Sequence, residues 1–168
     1  MPGRTENEAV EQYIAPMQRA LGCFTNCKFV ASARRLNESG FVTVNRGAPV
    51  ALPGHPLTLE FGQRYRVILD PDPSPGLPFK VTIEGYYINL NDSDGELFAF
   101  HWHPGNDRIR YPHVHVRDVD LHVPTGRVLL EDALRLAAEI GSTPRNSAWI
   151  DVLETNRENV SKSATWGV

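Results

Sequence analysis

The chain has 168 residues, 41% of them hydrophobic and 22% charged, which fits a single domain with a buried core. A net charge of -3 and a sequence pI near 6.1 exclude a whole-molecule attraction to nucleic acid, although a local basic patch can still hold phosphate. No window approaches the ~20 apolar residues of a membrane span, and the opening "MPGRTENEAVEQY" has no apolar run of the secretory type, so a cytoplasmic location is expected by default.

In chain order, residues 1–22 read as an N-terminal helix. Thr5 and Glu8 have capping-box spacing, and Val10, Tyr13, Ile14, Met17 and Leu21 recur at helical period. Pro16 is expected to kink or restart this helix, and Gly22 to stop it. Cys23 and Cys27 in "CFTNC" are too few for a disulfide framework and are expected as reduced, partly buried thiols. From Lys28 to Glu60 the strand signals are weak and are broken by "RGAPVALPGHPL", which places His55 in a loop.

Residues 61–118 read as a β-meander. "QRYRVILD" alternates with Tyr65, Val67 and Leu69 on one side, and "FKVTIEGYYINLN" alternates with Phe79, Val81 and Ile83 together. "DSDG" is a turn signal, and "ELFAFHWH" and "YPHVHVRDV" follow as further strands. Residues 125–158 then supply C-terminal helices. Thr125 is the expected N-cap, and Leu129, Leu130, Ala133, Leu134, Ala137 and Ile140 form an apolar stripe ending at Gly141. A second helical segment, "NSAWIDVLETNREN", buries Trp149, Val152 and Leu153, and residues 159–168 read as a fraying tail. The fold class predicted is α+β, a single domain spanning 1–168 with an antiparallel meander packed by helices from both ends of the chain.

Four of the six histidines form two His-x-His pairs, His101/His103 and His113/His115. Residues two apart on a strand share a face, so Phe98, Phe100 and Trp102 lie on one side and both histidines of that strand on the other. Val114 and Val116 alternate with His113 and His115 in the same way. If these strands pair with the aromatic and valine faces together, all four imidazoles gather on the opposite face, with cross-strand Cβ atoms roughly 4.5–5.5 Å apart.

Such a cluster supports three readings. The leading one is metal-free acid/base cleavage of a phosphodiester. His113 and His115, helped by Tyr111, are the candidate catalytic residues, and no cofactor is required. Arg110, Arg117, Arg127, Thr125 and His122 are candidate substrate-binding residues, with the unpaired N–H groups of a helix start at Thr125 adding an anion site. RNA is the natural substrate, because it carries its own 2′-hydroxyl nucleophile. The alternative is a metal-binding protein or metalloenzyme in which His101, His103, His113 and His115 hold a divalent transition metal, zinc or iron. Asp107 and Asp118 are the carboxylates nearest in sequence. The third reading is a non-enzymatic interaction surface.

"YYINLNDSDGELFAFHWHP", "YPHVHV", "HVPTGRVLLEDALRLAAEIG" and "PRNSAWIDVL" resemble a group of uncharacterised bacterial proteins with a HxHP…PHxHV…HxPTGRV pattern, which implies no activity. More distantly, the "DSDGEL" turn with Pro112, His113 and His115 resembles TumE-type toxins of toxin–antitoxin systems. That resemblance implies a ribonuclease-like activity, a toxin–antitoxin or mobile-element defence role, and a cognate antitoxin protein as partner. The sequence sets no oligomeric state.

Overall fold

Short connections between consecutive strands force antiparallel pairing of neighbours, and the computed structural model, described over residues 2–32, 35–105, 108–163 and 165–166, shows that pattern through most of its sheet. Helix α1 is Glu6–Gly22. The strands are β1 Phe29–Ala31, β2 Ser39–Val44, β3 Val50–Leu52, β4 Leu57–Leu69, β5 Phe79–Asp92, β6 Gly95–Trp102, β7 His113–Val116 and β8 Val119–Pro124. Helices α2, Leu130–Glu139, and α3, Trp149–Ser163, follow, and β9 is Thr165–Trp166. All strands join one sheet in the order β1-β2-β4-β5-β6-β7-β8, with β3 beside β4 and β9 parallel to β5. The molecule is a single α+β domain, as its patterning predicts.

Helix α1 forms half of its expected capping box, and the Glu8 side chain reaches one residue beyond the cap. The Thr5 hydroxyl accepts from the Glu8 N–H, while the Glu8 carboxylate accepts from the Arg4 N–H. The helix runs on through Pro16 to Gly22, so no restart occurs. The side-chain amide of Asn156, on α3, donates to the Pro16 carbonyl at 2.6 Å and ties the two helices together there. Both cysteines are free; Cys23 is buried and Cys27 partly so.

The sheet reaches well before residue 61. The segment dominated by Gly and Pro is a short 3-10 turn and two hairpin strands, so the meander begins at Phe29. Its helix-covered face carries Leu59, Phe61, Tyr65, Val67, Val81, Ile83, Tyr86, Ile88, Leu90 and Trp102, all buried against α1, α2 and α3. Leu69 departs from its expected place. It closes β4 beyond the helices and stays 57% exposed.

Two irregularities steer the long strands. The β4–β5 register shifts between Arg64 and Tyr65, opposite Gly85, whose φ of 154° and contact with the Trp102 carbonyl leave no room for a Cβ. The β5–β6 register shifts between Leu90 and Asn91, which inserts Leu97 as an extra residue. Bulges of this kind bend a sheet while keeping each face intact on either side.

The second helix does not start at Thr125. The Thr125 N–H donates to the Pro112 carbonyl and the Val128 N–H to the Tyr86 hydroxyl, so residues 125–128 form an extended strap tied to the sheet. The first free helical turn comes only after Leu129, whose N–H is taken by the Asp132 carboxylate at 3.1 Å. The apolar stripe then holds: Leu130, Ala133, Leu134 and Ala137 are buried. Of the C-terminal tail, the described residues are 159–163 and 165–166. Helix α3 continues to Ser163, and β9 pairs with Thr82 and Ile83. Among the described residues, no helix is long and apolar enough to cross a membrane.

Candidate metal centre

The register of β6 against β7 decides where the histidines go. Phe98 pairs with Val116, Ala99 with His115, Phe100 with Val114, and His101 with His113. The aromatic and valine faces coincide and join the helix-covered side. Both His-x-His pairs therefore project together from the other side, as parity requires. A fifth imidazole joins them, because β8 pairs Val123 with Val114 and so turns His122 to the same face.

The rings are close. His115 lies 4.4 Å from His122, 5.1 Å from His101 and 5.1 Å from His113, centroid to centroid, and His113 lies 5.0 Å from His122. His103, at the end of β6, is exposed and 5.4 Å from His101. One ligand nitrogen from each of His101, His113 and His115 falls within 4.8 Å of the other two. The four-histidine set read from the sequence thus resolves into a converging triad, with His103 at one edge and His122 at the other.

Two of the three imidazoles are oriented by hydrogen bonds. Nδ1 of His113 lies 3.0 Å from the Tyr111 carbonyl, which can only accept, so Nδ1 carries the proton and Nε2 keeps its lone pair. Nε2 of His101 lies 3.1 Å from the side-chain oxygen of Asn89, so this nitrogen donates and Nδ1 is the free one. Anchoring one ring nitrogen to a carbonyl or amide oxygen is how metal-binding histidines are commonly fixed.

The electrostatics disfavour charge on two rings of the triad, His101 and His115. Burial, then the neighbouring imidazoles, push His101 down to about 4 from 6.5. His115 is lowered by burial, His122 and His113, against a small opposing pull from Glu96. His103 is lowered by burial, by His113 and by the Arg64 guanidinium. Neutral imidazole is the form that binds a metal.

Of the candidate phosphate-binding residues, His122 joins the imidazole cluster, whereas Arg117 and Arg127 are engaged elsewhere. Arg117 is committed elsewhere: it forms a two-pronged ion pair with Asp92 and donates to the Glu96 and Gly95 carbonyls at the β5–β6 turn. Arg127 stands on the helix-covered side, its guanidinium 4.7 Å from the Trp102 ring centre and 4.8 Å from that of Trp166. Thr125 caps no helix, and its buried hydroxyl has no hydrogen-bond partner. Arg110 is exposed and supplies its backbone carbonyl to the Trp102 indole N–H. Tyr111 is 45% exposed, its ring 6.1 Å from His113. Asp118 lies in the β7–β8 turn and is exposed, and Asp107 falls outside the described residues.

Sequence reasoning missed Asn89 and Glu96. Asn89 was within reach of a parity argument, since Tyr87, Asn89 and Asn91 alternate with Ile88 and Leu90 and share the histidine face across β5, whereas simple parity puts Glu96 with Phe98 and Phe100 and only the bulge at Leu97 moves it. It also missed the part played by Tyr111, which acts through its main chain. No family model matches the chain, and neither a curated protein nor a solved structure is similar to it.

Proposed function

We propose that the histidine face is a divalent transition-metal centre with His101, His113 and His115 as ligands. The observation that carries this reading is the convergence of three imidazoles whose ligand nitrogens already lie within 4.8 Å of one another. With Zn–N near 2.0–2.1 Å, nitrogens on one tetrahedral zinc stand about 3.3 Å apart. Small ring rotations would close that gap. Three protein ligands leave a coordination position open, which is the arrangement of catalytic rather than structural zinc. Zinc suits an all-imidazole set, and iron or another imidazole-binding ion is the competitor.

A metal so held would supply a Lewis acid and a bound water acidic enough to act near neutral pH. The chain's own groups have separate tasks. The Tyr111 carbonyl and Asn89 fix two rings, Glu96 acts on His115 from the sheet, and His103 and His122 flank the opening. A hydrolase acting on an ester, with phosphodiesters of RNA as the first class to test, is the activity that follows from this arrangement.

Metal-free cleavage of RNA is the second reading. It has the imidazoles it needs, but its cations are dispersed: Arg117 is paired with Asp92, and Arg127 lies beyond the opposite face. The two readings separate in one experiment. Protein stripped with EDTA is titrated with Zn²⁺ and Co²⁺ by calorimetry and absorption, and RNA cleavage is followed before and after. The metal reading expects one ion per chain, visible bands from Co²⁺ in a low-symmetry nitrogen site, and activity only with metal. Activity that persists in EDTA, with no saturable metal binding, would return the chemistry to the histidines alone.

A further inference from the structure

Strand β8 ends the sheet, and among the described residues it has only β7 as a neighbour. All six of its residues are exposed, and it carries Val119, Leu121 and Val123 at 42%, 65% and 39% exposure on alternate positions. These three continue the helix-covered side of the sheet, beyond the reach of the helices, because Val123 pairs with Val114 and Val119 with Val116. The stretch between those two pairs is longer on β8 than on β7. Asp120, Leu121 and His122 therefore have no register partner on β7. An open edge with an apolar face is the pattern that invites another strand, and natural edges are normally blunted against it.

The β8 sequence is complementary to itself. "VDLHV" paired antiparallel with a second copy about Leu121 sets Asp120 opposite His122 twice, and Val119 opposite Val123 twice. The polar pairs fall on one face and the apolar pairs on the other. Main-chain direction agrees next to the last regular pair. The Thr125 N–H points inward to the Pro112 carbonyl and Val123 pairs with Val114, so alternation turns the amide group of His122 outward, where such a partner needs it.

We propose that β8 is the seam of a symmetric dimer, two copies pairing antiparallel across a two-fold axis at Leu121. The two sheets become one, and the two histidine faces become one continuous surface. Asp120 of each copy then sits beside His122 of the other, and His122 is the ring packed on His115. The dimer stands independently of any metal. Only its consequence for the site, a carboxylate delivered to each imidazole cluster by the other copy, rests on the metal reading. A contact this narrow belongs below about 1,200 Å² of buried surface, so the association should be weak and concentration-dependent.

The test is sedimentation velocity of the full chain in EDTA across the micromolar range, which removes metal from the question. A reversible monomer–dimer equilibrium is expected. His122→Asp sets two carboxylates against each other at both positions and should weaken the dimer at least tenfold, while the double variant Asp120→His/His122→Asp should restore it by exchanging the partners. Leu121→Cys gives a geometric check. Residues facing each other across the axis have Cα atoms about 4.5 Å apart, within disulfide reach. Diamide should link Leu121→Cys chains into a covalent dimer and should not link Val123→Cys chains, whose opposite residue is Val119. All substituted residues are exposed, and circular dichroism establishes that each variant is folded. A wild-type chain that stays monomeric throughout, or a dimer indifferent to His122→Asp and unlinked at Leu121→Cys, overturns the proposal.

Discussion

The two faces of one sheet have opposite chemistries here. On the helix-covered face, aliphatic and aromatic side chains exclude water almost completely, and one carboxyl is trapped among them. Glu131 is 2% exposed, receives a hydrogen bond from the Asn156 side chain, and has one oxygen without a partner against a cavity of about 30 Å³. Burial pushes it up to about 7 from 4.5. On the other face, imidazoles crowd one another at the surface, and His101 is driven down to about 4 from 6.5. Both groups are forced neutral, one by depth and the other by depth and company. The lesson is that the same pressure against charge produces pH dependences of opposite sign on the two sides of a single layer.

The signs follow from which state binds the proton first. For Glu131 the folded chain holds its proton longer than the unfolded chain. Its contribution is complete below pH 4.5 and is lost as pH rises through about 7. For His101 the unfolded chain takes the proton first. Its contribution is complete above pH 6.5 and is lost as pH falls towards about 4.

The largest effect that can break this comparison lies in the packing of the dry face. Trp102 is 3% exposed, packs near Tyr86 and Trp166, and lies under the Arg127 guanidinium. Trp102→Ala should cost about 3–5 kcal/mol by chemical denaturation, through lost contacts and a cavity. A loss under about 1 kcal/mol would mean the two faces are wrongly assigned.

On the histidine face, His113→Ala should weaken Zn²⁺ binding by more than the roughly 10–100-fold that follows loss of an outer-shell partner. Calorimetry on metal-stripped protein checks it, and unchanged affinity would remove the triad from consideration. Asn89→Leu should fall within that 10–100-fold range, because it frees the His101 ring without removing a ligand. Tyr111→Phe should leave metal affinity unaltered, since the carbonyl that holds His113 survives the change.

A titration on the dry face sharpens the comparison most. Glu131→Gln keeps the shape of the buried group and removes its titration. Denaturation across pH 4–8 should then lose its downward slope towards neutral pH and keep only the fall on the acid side, a change on the order of 3 kcal/mol by pH 8 from the displacement of 4.5 to about 7. An identical profile for parent and variant would show that Glu131 does not titrate in this range.

Much of the fold was legible because parity and period are local properties. Phe98, Phe100 and Trp102 alternating with His101 and His103 specify which residues share a face, whatever the strand pairs with. The α2 stripe was legible for the same reason. Bulges were not. Leu97 and the extra β8 residues around Leu121 change register without leaving a distinctive residue type behind, and Gly85 marks its bulge only once the strand is known. The start of α2 was misread at Thr125 because a good cap residue competes with the tertiary bonds that claim the N–H groups of Thr125 and Val128. The site was half legible. The sequence placed the imidazoles together, but the separation of Arg127 from them depends on which side of the sheet its strap crosses.

The three triad histidines come from two adjacent strands, and His101 and His115 are near one another along the chain even before it folds. Closing so short a loop costs little entropy, so on the proposed metal reading an unfolded chain would keep a share of the native affinity for the ion. Ion binding to both states cancels in the folding equilibrium. The rise in melting temperature on adding zinc should therefore fall short of what the native dissociation constant would give. Conversely, traces of metal during refolding would bind before the sheet is complete, making the β6–β7 hairpin a place where folding can begin.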